Sequence, residues 1–473
     1  MIILLKYDRR DITSFMSKKR NVTSHKMDML HGSLLKKILI FALPLALSSI
    51  LQQLFNCVDL AVVGRYATSQ DQAAVGCNSS LINLMINLFV GVSIGTNVVI
   101  AKYLGQKQHD KVKDAVHTSI VVALISGLFL LVLGLLIARP VLTLMKTPED
   151  TLDLAILYLR IYFVGMPFVM LYNFGAAILR SIGDTKRPLY CLILAGILNA
   201  VLNLILVIVF HMGVAGVAIA TVVSNAVSAS MVMYMLFHEE EPIRLSLKGL
   251  TIVKPELAKI LKIGIPAGIQ GMVFSFTNVF IQSALNGFGS DAVAGSAVAL
   301  NYEYITYFVI NAFNQAAVTF IGQNYGAEKF KRCKQTYWLC MISSVLITSF
   351  MCLVFVLNAR FFAGLFTSKE EVIRFAVLRM GQILTFNFIA NSYEISGSAL
   401  RGLGYSMTPA LLTIVGICAF RLFWIYCVFN KNRSLELLLN VYPISWIITG
   451  VAVVAAYFLI SRRQYKKDLL FRP

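Results

Sequence analysis

The segment Leu179-Arg180-Ser181-Ile182-Gly183-Asp184-Thr185-Lys186-Arg187-Pro188 is written a second time as Leu400-Arg401-Gly402-Leu403-Gly404-Tyr405-Ser406-Met407-Thr408-Pro409, 221 residues later. The shared frame is L-R-x-x-G-x-x-x-x-P. Each copy follows one long apolar run and precedes another, so it reads as a tight loop between helices: Arg at a helix end, Gly to turn, Pro to open the next helix. Other punctuation repeats in register. Pro44 pairs with Pro266, Ala73-x-x-Gly76 with Ala292-x-x-Gly295, and Tyr103-x-Gly105 stands beside Tyr325-Gly326. Several matches at nearly the same offset indicate an internal duplication.

The runs around these loops are long enough to cross a bilayer. With 58% hydrophobic and 14% charged residues and a mean hydropathy of +0.75, the chain holds more apolar surface than a soluble core uses. Roughly 20 apolar residues cross the hydrocarbon as a helix, and twelve such spans can be marked, the fourth as one piece over 155–178. The expected fold is an all-α membrane protein, two parallel six-helix repeats forming a V-shaped pair of lobes. The expected divisions are a tail at 1–36, a first lobe at 37–237, a linker at 238–257, a second lobe at 258–461 and a basic tail at 462–473. An even number of spans per repeat makes both halves enter from the same side, related by an axis along the membrane normal.

A net charge of +19 raises nucleic acid as a partner, and the placement of the charge excludes it. With the N-terminus in the cytoplasm, 31 of the 42 Lys and Arg residues fall on that side. The positive-inside rule therefore puts both termini in the cytoplasm, with anionic lipid the natural partner of the basic excess. The expected location is a bacterial cytoplasmic membrane, and the expected state a monomer. Residues 1–26 are expected to be dispensable: a chain beginning at Met27 keeps Lys36 and Lys37 beside span 1 and so keeps its orientation. The eight cysteines show no ligand spacing, so neither a disulfide framework nor a zinc site is indicated.

Polar residues inside the spans carry the functional signal. Ser49, Gln52, Asn56 and Asp59 fall at i, i+3, i+7 and i+10, one stripe on an otherwise apolar span 1. An acid in a membrane helix costs roughly 2.5–3.5 kcal/mol on insertion scales, which points to an ion path, a substrate site or a fixed ion pair. Comparable stripes hold Asn278 and Gln282 on span 7, Asn391 and Glu394 on span 10, and Asn301, Glu303, Asn311 and Asn314 on span 8. Span 5 sets Asn199 and Asn203 one turn apart, and Arg421 sits within span 11. Glu394 and Arg421, on adjacent antiparallel spans, are expected to form a coupled pair; Arg160 and Arg379 are assigned no role. At the repeat offset Asn56 matches Asn278 but Asp59 matches Ile281, so the first-half acid has no counterpart. No phosphate loop, metal-binding helix motif or nucleophile with its base is present, leaving an ion gradient as the energy source for a transporter.

The two L-R-x-x-G-x-x-x-x-P loops, Phe41-Ala42-Leu43-Pro44 with Gln52-Gln53 and Val58-Asp59 downstream, Gly105 and Gly326, and the run Gly213 to Thr221 together resemble the multidrug and toxic compound extrusion (MATE) antiporters of bacterial type, over about 30–465. The resemblance implies a non-enzymatic exporter of amphipathic, mainly cationic organic compounds, driven by entering sodium or protons and using no other cofactor. It implies that Asp59 is the coupling acid, with Asn199, Asn203 and Thr221 as its polar neighbours, sodium at Asp59 being the one metal in view. Pro44 is the implied hinge of span 1, and Gln52, Asn56, Asn278, Gln282, Asn391, Glu394 and Arg421 are the candidates for the substrate cavity. Some members carry an acid where this chain has Asn203, and some carry a span 7 acid where Phe274 stands. On ideal helices Asp59 lies about 33 Å above Lys37 and Asn203 about 22 Å above Pro188, so their meeting requires span 1 to start deeper, tilt or bend. A lipid-linked precursor flippase of the same superfamily would need several cavity-lining Arg or Lys residues. A membrane-embedded enzyme would need His, Asp or Glu clustered at one depth.

Overall fold

The computed structural model describes residues 26–145 and 147–470. The tail at 1–25, and with it most of the stretch expected to be dispensable, lies outside the described residues. Among the described residues eleven helices are long and apolar enough to span a membrane, and one bent pair completes the twelve. Spans 1 to 6 are Leu34–Tyr66, Ala73–Gly105, His109–Leu144, Glu149–Val164 with Met166–Ser181, Lys186–Val209 and Gly213–Phe237. Spans 7 to 12 are Lys254–Asn286, Ser290–Gly326, Phe330–Leu357, Glu370–Gly402, Met407–Lys431 and Leu435–Lys466. Span 4 departs from the single helix expected. It bends by 45° between its two pieces, where Gly165 is followed by Met166 and by Pro167, which has no N–H to give to the preceding turn.

The repeated loop has the geometry its sequence asks for. Gly183 and Gly404 adopt φ of +87° and +94°, a region open to glycine at little cost. In the first copy Asp184 Oδ1 then accepts from the backbone N–H groups of Lys186 and Arg187 at 3.1 and 3.2 Å, satisfying the start of span 5.

The halves close on each other at one end. A methyl group placed on Gly91 of span 2 would lie 2.2 Å from Gly268 Cα of span 7, one on Gly264 2.5 Å from Val92 Cα, and one on Gly105 2.0 Å from Gln323 O of span 8. Backbones this close need glycine, the same device that lets membrane helices associate without a hydrophobic drive. Asn97 and Thr319 add a hydrogen bond across the seam at 2.9 Å. These contacts lie toward the start of span 7 and the end of span 8, the face from which span 1 also departs. Farther along, Gln52 and Asn56 of span 1 and Asn278 of span 7 are exposed. The two lobes thus meet near the start of spans 1 and 7 and the end of span 8.

Span 1 leans across the pair. Leu34, Ile38, Phe41, Ala42 and Ala46 belong to the apolar cluster of the second half, with the Phe41 ring edge-on to Phe320 at 5.5 Å. Val62 and Val63, near its other end, belong to the cluster of the first half. Ahead of it, residues 26–32 strap the closed face. Met27 N–H donates to Ile182 O at 2.9 Å on the first-half loop. The carbonyls of Met29, Leu30 and Gly32 accept from Arg332, Lys329 and Arg332 again, at 3.1, 3.1 and 3.2 Å, on the second half.

Candidate functional site

Asp59 projects from span 1 into the first lobe, where spans 5 and 6 supply its surroundings. It is 9% exposed, and Asn199 and Asn203 are 5% and 0% exposed. Span 1 reaches this depth because Gly196 on span 5 admits the Phe55 ring: an added methyl there would lie 1.8 Å from it. Asn203 Nδ2 donates to Asp59 Oδ1 and also to Asn199 Oδ1 at 3.2 Å. Asn199 Nδ2 donates in turn to Thr221 Oγ1 at 3.4 Å. Thr221 gives its proton to Val217 O at 3.0 Å, fixing the hydroxyl oxygen toward Asn199.

Beyond Asn203 the helix widens into a π-helical stretch, Leu204–Val209, of the kind that often marks functional positions. Tyr158 and Tyr162, stacked at 5.9 Å on the bent span 4, stand within electrostatic reach of the carboxylate. No Lys, Arg or His pairs with Asp59 among the described residues. Asn203 Oδ1 is buried and accepts from no group. The site therefore offers one carboxylate, an unused amide oxygen and further neutral oxygens in a low-dielectric setting, an arrangement fitted to a proton or a hard monovalent cation. The four residues singled out from the sequence stand together, and the height mismatch is absorbed by the lean of span 1.

A family model described as MatE matches residues 44–205 and 266–427, two stretches displaced by the 222 residues that separate Pro44 from Pro266. The chain belongs to the MATE family of transporters. Among its curated relatives are two Bacillus subtilis proteins described as probable multidrug resistance proteins. YoeA is 26% identical, covering 81% of this chain and 85% of its own, and YpnP is 29% identical, covering 83% and 88%. The fold is shared with a MOP superfamily transporter from Pyrococcus furiosus, at a TM-score of 0.84 and 23% identity over 93% of this chain and 97% of the other. A multidrug resistance MATE transporter in an outward-facing conformation gives a TM-score of 0.83 at 22% identity, again over 93% and 97%.

The other residues singled out in this MATE transporter have different surroundings. Gln52, Asn56 and Asn278 are exposed, and Gln282 donates to Asn286 on its own helix at 3.0 Å. Asn391 is fully buried, donating to Thr348 Oγ1 at 3.2 Å and accepting from Ser344, so it ties span 10 to span 9 inside the lobe and lines no open surface. Pro44 lies within span 1, its carbonyl accepting from Ser48 at 2.8 Å.

The Glu394–Arg421 pair does not form. Glu394 accepts from Asn314 of span 8 at 2.8 Å, and Arg421 donates through Nε to Ser445 of span 12 at 3.3 Å. Position along a helix sets height, whereas the direction of the side chain around the axis decides its partner. A buried ion pair forms instead between Glu303 and Arg379, bidentate at 2.7 and 3.1 Å, and Arg379 is 2% exposed. Arg379 was the residue missed. The unclaimed acid on span 8 and an Arg at the tenth residue of span 10 were the available signal. Removing one partner strands a buried charge at a cost of about 3–5 kcal/mol. Glu303→Gln and Arg379→Gln should each sharply lower the melting temperature in detergent, while the double variant loses much less than the two combined. Additive losses would show that the pair is not coupled.

Proposed function

We propose that the protein is a cation-coupled antiporter that exports amphipathic, mainly cationic organic compounds across a bacterial cytoplasmic membrane, sodium or protons being the driving ion. The observation that carries this reading is Asp59: a buried carboxylate without a cationic partner, beside an amide oxygen with none. A small cation reaching the site neutralises that charge and draws on Asn199, Asn203 and Thr221 for oxygens. Neutralisation changes what the carboxylate asks of span 5, and hence how span 1 rests on the first lobe. A ligand shifts a conformational equilibrium by the difference in its affinity for the two states, and only the state with Asp59 assembled provides this site.

Pro44 gives span 1 a place to bend, since proline removes one intrahelical hydrogen bond. It lies near the end of the part of the span packed on the second lobe, before the part carrying Asp59. With both termini cytoplasmic, the seam of close glycines is the inner gate, and the described arrangement opens outward. The exposed polar positions singled out on spans 1 and 7, Gln52, Asn56 and Asn278, are neutral amides, which suits organic cations better than an anionic lipid head group. Relatives described as multidrug resistance or multidrug export proteins support the same substrate class.

Expression in cells stripped of their own exporters tests this. Cells making the protein should hold several-fold less of a lipophilic cationic dye than control cells, and an uncoupler with sodium removed should erase the difference. Equal dye content in both, with the protein verified in the membrane, would contradict the proposal.

A further inference from the structure

The duplication that aligns Pro44 with Pro266 also aligns Asn199 with Arg421, both inside the two stretches matched by the family model. In the first half this position belongs to the polar group around Asp59; in the second, Asp59 is replaced by Ile281, which is 3% exposed within the apolar core. The same place in the scaffold has thus exchanged an acid for an apolar side chain and an amide for a cation.

Arg421 is 0% exposed. It rides on the short α-helical turn Phe420–Phe423 between two π-helical stretches, Ile414–Ala419 and Trp424–Val428. Its Nε edge is engaged by Ser445, and its planar face lies 4.4 Å from the Tyr442 ring and 5.5 Å from the Phe274 ring. Nη1 and Nη2 are buried, and neither has a hydrogen-bond partner among the described residues. Of the acids deep within the spans of this lobe, Glu303 is engaged by Arg379 and Glu394 by Asn314. Aromatic faces compensate the charge of a guanidinium but not its in-plane N–H groups. A charged donor left unsatisfied in a membrane interior is expensive enough to call for an acceptor.

We propose that Arg421, with Tyr442 and Phe274 as walls, forms a binding site for a small monovalent anion, a carboxylate or a halide held end-on by Nη1 and Nη2. The free end of the guanidinium fork matches the two oxygens of a carboxylate and also cradles a single halide. The complete burial of Arg421 itself restricts the occupant to a small one. The two lobes then carry opposite chemistry, a site for a cation in the first and one for an anion in the second. The second site stands whether or not Asp59 couples transport.

The test is thermal melting of the purified protein in detergent at constant ionic strength, with chloride or formate titrated against bulky isethionate. The wild type should show a saturable rise in melting temperature with each small anion, and Asp59→Asn should retain it. Arg421→Gln should lose it. Arg421→Lys, which keeps the charge but not the fork, should weaken the apparent affinity for formate by about tenfold, the loss of one charge-assisted hydrogen bond. A flat wild-type titration, an Arg421→Gln protein that responds like wild type, or an unchanged formate affinity in Arg421→Lys would each overturn the proposal. A stronger response to chloride assigns the site to a free halide, and a stronger response to formate assigns it to the carboxylate class.

Discussion

Asp59→Asn should bring gradient-driven dye efflux down to the level of vesicles without the protein, while the protein still inserts, folds and binds dye. The substitution preserves size and shape, and its amide oxygen can still accept from Asn203 Nδ2, the contact that joins span 1 to span 5. What disappears is the negative charge. Without it the pocket has no electrostatic reason to take up a cation, and Asn203 Oδ1, Asn199 and Thr221 supply only neutral dipoles. The signature is a separation of binding from coupling: dye affinity within about threefold of wild type, a change below 1 kcal/mol, with no response to either imposed gradient. Loss of dye binding together with transport would instead make Asp59 part of the substrate cavity.

The second large effect is expected at the seam between the lobes. Any side chain on Gly268 begins with a Cβ lying 2.2 Å from Leu88 O, and the atoms it meets are backbone. Spans 2 and 7 must then separate, and overpacking of this kind costs about 1–3 kcal/mol, equivalent to a 5- to 150-fold change in a two-state equilibrium. Gly268→Val should therefore populate an arrangement in which the glycine seam is open, and transport should fall because the closed state is no longer reached. Thr319→Cys in a background lacking the native cysteines reports on this directly, since Thr319 is 0% exposed at the seam. Its labelling by a water-soluble thiol reagent should be slow alone and at least about fivefold faster when combined with Gly268→Val. Equal labelling rates would mean that the glycine contacts do not hold the gate.

Much of this architecture is legible in the residues because membrane helices obey few rules. A span must be long and apolar, and the turn between spans must be tight. Gly183 and Gly404 were readable as turn glycines, and the structure gives both a positive φ. Asp59, Asn199, Asn203 and Thr221 were readable as a group because helical periodicity places polar residues on one face and the family resemblance named the spans that meet there. The break in span 4 was not readable, since Gly165 and Pro167 sit in an uninterrupted apolar run whose hydropathy hides the bend. The exchange of partners among Glu303, Arg379, Glu394 and Arg421 was equally hidden: four charges on three spans allow several pairings, and only the azimuth of each side chain chooses one. The strap at residues 26–32 is held through its backbone carbonyls, which every sequence possesses, so its composition carries no sign of it.

The central claim is that a cation taken up at Asp59 drives the export of an organic compound, and dye movement in inverted membrane vesicles tests it most directly. The sodium and proton gradients are imposed one at a time, across vesicles carrying the wild-type protein or Asp59→Asn. The account predicts that at least one of the two gradients drives dye transport in the wild type and that neither does in the variant. Dye transport by Asp59→Asn at the wild-type rate under both gradients would contradict it and place the coupling site elsewhere in the chain.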